Sequence, residues 1–207
     1  HDVSHPKAIS DLAHWTIDNT ASLYSVNKLT GYLKSLGHKA PKASVSNYLA
    51  WFEDAYFLFS VRLFDASLTR SQSNPKKIYC IDHALVTSTS SGILVNAGHL
   101  LENLVFIALR QFNSDIYYYK TSTGKEVDFV ISARNQPKRL VQVSETLVDP
   151  KTKQREIAAL NEAMLELKIK TSVLVTRGES ENINCDSDTI HVIPAWQFLI
   201  ELPDNAL

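Results

Sequence analysis

Apolar residues recur at helical spacing through the first part of the chain and give way to short β-like runs after it. Ile9, Leu12, Ala13 and Ile17 share one stripe after Pro6, a residue suited to a first turn, which predicts a helix over about 7–19. Ser25 is placed to cap a second helix carrying Val26, Leu29, Leu33 and Leu36, with Gly37 as its stop signal. After Pro41, Ser44 is the expected cap of a third helix over 44–55. Its apolar stripe is Val45, Tyr48, Leu49, Phe52 and Ala55, and its opposite face shows Ser46, Asn47 and Ala50. Two β-rich runs follow, Tyr56–Phe64 and Lys77–Ile81, joined by a polar loop from Asp65 to Lys76 that contains Arg70 and Pro75.

The pattern changes after the Ser/Thr stretch at 87–91. Leu100, Leu101, Leu104, Val105, Ile107 and Ala108 predict a broadly apolar helix over about 97–112. Three short strands are expected next, Ile116–Lys120, Glu126–Ser132 and Arg139–Thr146, with turn material at Thr123-Gly124 and at 134–137. Such tight spacing predicts an antiparallel meander. From Asp149 a charged segment with Ile157, Leu160, Ala163, Met164 and Leu167 predicts a helix. A strand at Ser172–Val175, a strand at Thr189–Ile193 and a helix at Ala195–Leu202 complete the reading. The fold class is α/β in the α+β sense, with a central mixed sheet, divided into residues 1–92 and 93–207.

Composition narrows the function without fixing it. The 207 residues are 44% hydrophobic and 21% charged, which excludes disordered and low-complexity classes. Lys plus Arg number 21 against 22 Asp plus Glu, so any nucleic-acid surface has to be local. Residues 1–92 hold nine Lys or Arg against seven Asp or Glu, a weak net +2. Cys80 and Cys185 lack both the density of a disulfide scaffold and CxxC spacing, and are expected as free thiols in the cytoplasm. No apolar run approaches the roughly 18 residues of a membrane span, because Glu102 and Asn103 interrupt the strongest stretch. A GxxxxGK[ST] loop is absent, hence no ATP site is expected, and the seven histidines form no close pair that suggests zinc. The chain opens on His1, its single methionine being Met164, and is expected to be a piece of something longer.

The most informative chemistry is polarity inside strands. Period two along Glu126–Ile131 puts Val127, Phe129 and Ile131 on one face and Asp128 on the other. The same period along Leu140–Ser144 puts Gln142 and Ser144 together. If these strands are neighbours, Asp128, Gln142 and Ser144 converge, and Glu102 can approach the same place. Buried carboxylates cost several kcal/mol unless paired or bonded, so the group is a candidate site. Each member also has a plain structural role: Asp128 accepting strand hydrogen bonds, Glu102 paired with a nearby Lys or Arg, Gln142 and Ser144 as ordinary sheet residues.

The order of these segments resembles a known arrangement. A helix with Glu102, a strand, Gly124-Lys125-Glu126-Val127-Asp128-Phe129-Val130, then Leu140-Val141-Gln142-Val143-Ser144, a helix and a strand is similar to the PD-(D/E)xK restriction-endonuclease-like core. Together with Ser25–Leu36, Val45–Leu49, Lys77-Ile78-Tyr79 with Asp82, and Leu101-Glu102-Asn103-Leu104-Val105, it resembles the C-terminal region of prokaryotic predicted AAA+ ATPases. There a P-loop ATPase precedes a winged helix and a nuclease-like domain of unknown function. The resemblance implies a winged helix-turn-helix in residues 1–92, a nuclease-like domain in 93–207 and an ATPase outside this chain, linked through Asp2-Val3.

The resemblance also implies a catalytic set that this sequence carries only in part. Asp128 matches the acidic strand residue of a divalent-metal nuclease, but Gln142 stands where the second acid belongs and Ser144 where the lysine belongs. Cofactors are therefore none, or Mg²⁺ or Mn²⁺ if Asp128 and Gln142 still hold a metal. A phosphodiesterase reading would use Asp128, Gln142 and the Val143 carbonyl on metal, Glu102 assisting, and Lys120 or Lys125 for the missing lysine. The expected function is instead non-catalytic DNA recognition or regulation. It places the third helix in a major groove with Lys42, Ser46 and Asn47 at base or phosphate edges, and brings Arg62, Arg70, Lys76 and Lys77 to the backbone. A protein-interaction module, including self-association into a homo-oligomer, is the third reading, because winged helices also dock proteins.

Overall fold

The computed structural model describes residues 5–89, 96–133, 136–185 and 188–202. The expected boundary at 92/93, the Asp2-Val3 link and the Arg134-Asn135 turn lie outside them. Contacts divide the chain into two units, residues 1–61 with 74–103, and residues 62–73 with 104–207. Strand β2 (Leu58–Leu63) and helix α6 (Ala97–Phe112) each contribute residues to both.

In the first unit, α1 (Pro6–Asp18) carries its proline at the helix start, where a missing N–H costs nothing. Strand β1 (Leu23–Tyr24) leads into α2 (Val26–Ser35), whose cap is Ser25, accepting the Lys28 N–H at 3.2 Å. Gly37 ends that segment at φ +84°, a conformation that favours glycine. Helix α3 (Lys42–Asp54) begins two residues before the expected Ser44 cap. Pro41 is extended there at ψ 158° and ends the preceding loop, so the helix starts directly after it and Ser44 lies inside. Strand β3 (Lys76–Cys80) pairs antiparallel with β2 and with β1, giving the order β1-β3-β2. Leu12, Leu29, Leu33, Val45, Tyr48 and Leu58 are the buried centre of this unit. Two short helices were not legible, α4 (Leu68–Ser73) in the expected polar loop and α5 (His83–Thr89) after β3.

The second unit has β4 (Ile116–Lys120), β5 (Glu126–Ala133) and β6 (Gln136–Val143) as the expected antiparallel meander. Residues Ser144–Thr146, expected as strand, follow β6 as a loop. Helix α7 (Pro150–Leu167) is capped by Asp149, which accepts the Thr152 N–H at 3.0 Å, and crosses to β7 (Thr171–Thr176), parallel to β6. Strand β8 (Glu181–Cys185), absent from the sequence reading, pairs antiparallel with β9 (Asp188–Pro194), which runs parallel to β7. Helix α8 (Ala195–Glu201) closes the described chain. The end of β2 adds a parallel pair to β4, so the order is β2-β4-β5-β6-β7-β9-β8 and the sheet is mixed. On one face, Val127, Val130, Leu140, Leu174 and Val192 pack against Ala159, Leu160, Ala163 and Met164 of α7. The fold is α+β, as the pattern predicted, and both cysteines are free.

Candidate functional site

Strand β5 carries an irregularity at the candidate acid. Tyr117 pairs with Val130 and Tyr119 with Val127, so two steps on β4 face three on β5, a bulge at Asp128-Phe129. The extra residue breaks period two. Val127 and Val130 therefore share the core under α7, whereas Phe129 turns to the other side and stacks on Phe106, ring centres 6.1 Å apart. The expected grouping of Val127 with Phe129 is corrected by that bulge.

The bulge also frees backbone groups that side chains then take up. The Asp128 N–H donates to Gln142 Oε1 at 3.0 Å, and Asp128 Oδ2 accepts the Val143 N–H at 2.9 Å. The β5–β6 ladder begins at Phe129, so these two bonds continue the strand pair where the ladder stops. Gln142 Nε2 donates to Glu156 Oε2 of α7 at 2.7 Å, and the Arg155 guanidinium donates to Glu156 Oε1 at 2.5 and 3.0 Å. Asp128, Gln142 and Glu156 are 6%, 6% and 5% exposed. Arg155 is held charged above its ordinary range by the Glu156 hydrogen bond and charge, with Asp128 adding. Ser144, at the lysine position, donates to the Thr146 carbonyl at 3.1 Å and so tightens the loop after β6.

This donor set does not fit Mg²⁺ or Mn²⁺. Such ions need about six oxygens with carboxylate charge, but Gln142 turns its amide nitrogen to Glu156 and its oxygen to a backbone N–H. Both Glu156 oxygens are already bonded, to Gln142 and Arg155. Among the described residues no group of three or more His, Cys, Asp or Glu is arranged to hold a metal. The arrangement as it stands ties three elements together through one amide.

The two candidate replacement lysines bond to other groups. Lys120 lies 3.9 Å from Glu126 across the strand pair. Lys125 donates to the Thr123 hydroxyl at 2.9 Å and to Glu162 of α7. Glu162 also accepts the Thr123 N–H and hydroxyl, and Glu166 accepts the Ser122 N–H and the Tyr119 hydroxyl, so the turn after β4 is pinned to α7. Lys125 and the two threonines at 121 and 123 lower the Glu162 carboxyl to about 2.

Glu102 belongs to the first unit and Asp128 to the second. Glu102 Oε1 accepts from Lys77 Nζ at 2.9 Å and from the Tyr79 hydroxyl at 2.7 Å, all three side chains on buried residues. Its neighbour Asn103, fully buried, accepts the Cys80 N–H at 2.9 Å and donates to the Cys80 carbonyl at 3.2 Å while accepting from Thr20. An asparagine amide thus pairs with β3 as another peptide would. Glu102 and Asn103 together fasten α6 to β3.

Of the expected DNA-facing residues, Lys42, Ser46 and Asn47 are exposed on α3, together with Ala43 and Ala50. Lys76 is partly buried. Lys77 is 3% exposed and bound to Glu102, so this hairpin cation is turned inward rather than toward a phosphate. Arg62 and Arg70 fall in the second unit, both exposed, with Arg70 3.2 Å from Asp65.

Sequence reasoning missed Glu156 and Arg155. A signal existed, since Glu156, Ala159, Leu160, Ala163 and Met164 form one buried stripe of α7 and a carboxylate sits on it. Also missed was Arg139, which lies on the same face of β6 as Val141 and Val143.

Among the described residues no helix is long and apolar enough to cross a membrane. No solved structure matches the chain. An uncharacterized protein of Methanocaldococcus jannaschii is 31% identical over 208 residues, covering 96% of this chain and 45% of its own length. The chain therefore spans less than half of that relative. Residues 97–198, from the start of α6 into α8, match the family described as Domain of unknown function (DUF4143).

Proposed function

We propose that this chain is a recognition module of a longer protein, binding duplex DNA through its first unit, and that its second unit is a nuclease-like scaffold without catalysis. The observation that carries the reading is the order α1-β1-α2-α3-β2-α4-β3, with the short α4 in the connection between the two hairpin strands, and the sheet order β1-β3-β2, in which α3 keeps Lys42, Ser46 and Asn47 in solvent. That is the order of a winged helix-turn-helix, whose third helix enters a major groove. On α3, Lys42 supplies phosphate attraction and Asn47 a side-chain amide able to read an adenine edge.

The second unit supports the scaffold reading through its α6-β4-β5-β6-α7-β7 order and its closed Asp128–Gln142–Glu156–Arg155 network. The relative's greater length leaves room for a further domain, and a P-loop ATPase coupled to DNA binding is the one proposed. Fluorescence anisotropy of a labelled 20-base-pair duplex against salt tests the reading. Binding should weaken linearly in log affinity against log salt, and Lys42→Gln with Asn47→Ala should weaken it by about tenfold or more. Absence of binding at low salt, or binding indifferent to α3 changes, overturns it. Metal-dependent cleavage of the duplex lost in Asp128→Ala would overturn the scaffold half.

A further inference from the structure

On the face of the second unit's sheet opposite α7, a cavity of about 600 Å³ lies between the strands and α8. Arg139 of β6 and Val173 of β7 form its floor, with His191 of β9 beside them. Phe198 of α8 and Leu202 just after it supply an apolar wall, and Asn182 of β8 stands at another side. Its volume is in the range of pockets that hold small organic molecules.

The charges around it are unequally satisfied. Glu181 is taken by Lys153 at 2.6 and 2.8 Å, and Glu201 accepts from Gln197 at 2.7 Å. His191 Nδ1 is 2.8 Å from Asn182 Oδ1, which can only accept, so that nitrogen carries the proton and fixes the ring. Arg139 is partly buried, and among the described residues its guanidinium has no hydrogen bond or ion pair to a side chain. Burial lowers its pKa, with no neighbouring carboxylate raising it back. An arginine kept in this state beside Val173 is costly for the fold and is suited to a bidentate partner.

We infer that this cavity is a binding site for a small organic oxyanion, a phosphate monoester or a carboxylate with an apolar body. The oxyanion pairs with the Arg139 fork, and the apolar body rests against Phe198 and Val173. Asn182 and His191 supply the remaining polar contacts at the rim. Lone inorganic phosphate fits the charge but leaves the apolar wall unused.

Isothermal titration calorimetry on the full 207-residue chain tests this with phenyl phosphate, benzoate, inorganic phosphate and phenol, and no DNA present. Phenyl phosphate or benzoate should bind at least about tenfold more tightly than inorganic phosphate or phenol, because only they use both halves of the cavity. Which of the two binds better identifies the anion. Arg139→Gln should weaken binding by about tenfold or more, the loss of a charge-assisted fork, and Arg139→Lys should restore part of it. If Arg139→Gln fails to fold by circular dichroism, Phe198→Leu takes its place and should erase the preference for the aromatic probes over inorganic phosphate. No heat from any probe at millimolar concentration overturns the inference, as does binding unchanged in Arg139→Gln.

Discussion

Glu102→Ala separates a structural carboxylate from a functional one. The substitution withdraws the carboxylate oxygen that serves both Lys77 Nζ and the Tyr79 hydroxyl, in a place where the Lys77 side chain is 4% exposed. Removing one partner of a buried ion pair costs about 3–5 kcal/mol, because the remaining charge cannot recover its water. The Tyr79 bond would add about 1–3 kcal/mol alone, but it shares Oε1 with Lys77, so the two losses overlap and the total stays near the ion-pair figure. Against a typical domain stability of about 5–15 kcal/mol this is about a fifth at the least and most of it at the low end. Urea unfolding followed by tryptophan fluorescence suits the measurement, since Trp15 and Trp51 both lie in the first unit. The double variant Lys77→Met with Glu102→Leu should recover most of the loss, leaving a coupling of several kcal/mol in the cycle. A loss below about 1 kcal/mol in Glu102→Ala, or a gain, would refute the reasoning; carboxylates kept for chemistry often stabilise the fold when removed.

Three further outcomes follow from the same contacts. Asn103→Asp keeps the acceptor for the Cys80 N–H but loses the donor to its carbonyl, and should cost about 2 kcal/mol or more in thermal or urea unfolding despite equal size. Glu162 is held at about 2 by Lys125, Thr121 and Thr123, well below the 4.5 of a free glutamate. Its contribution is therefore full above about pH 4.5 and is lost as pH falls toward 2. The gap in melting temperature between the protein and Glu162→Gln should close across that window. Gln142→Glu restores the acid of the nuclease pattern but puts a third carboxylate beside Asp128 and Glu156. It should lower the melting temperature, and Mn²⁺ should raise it again in the variant while leaving the parent unmoved, read by differential scanning fluorimetry.

What the sequence determined by itself was local. Helical spacing, the Ser25 cap, the helix start at Asp149 and the run from Ala97 to Phe112 placed their elements within a residue or two, because caps and apolar stripes act over a few positions. The α+β class and the antiparallel meander followed from the same short-range pattern. Asp128 and Gln142 as neighbours were legible because two adjacent strands each carried a polar residue amid valines.

Only the tertiary structure decided what those polar residues do. A one-residue bulge in β5 turned Asp128 onto backbone groups, and a bulge leaves no local trace in a run such as Glu126–Ile131. Glu156 came from α7, 14 positions beyond Gln142, and Lys77 reached Glu102 across 25 positions. Charge pairing over such separations depends on which elements pack together, not on spacing along the chain. Arg139 shows the same limit, since alternation placed it among valines, but only the packing of α8 over β7 and β9 made that position the floor of a cavity.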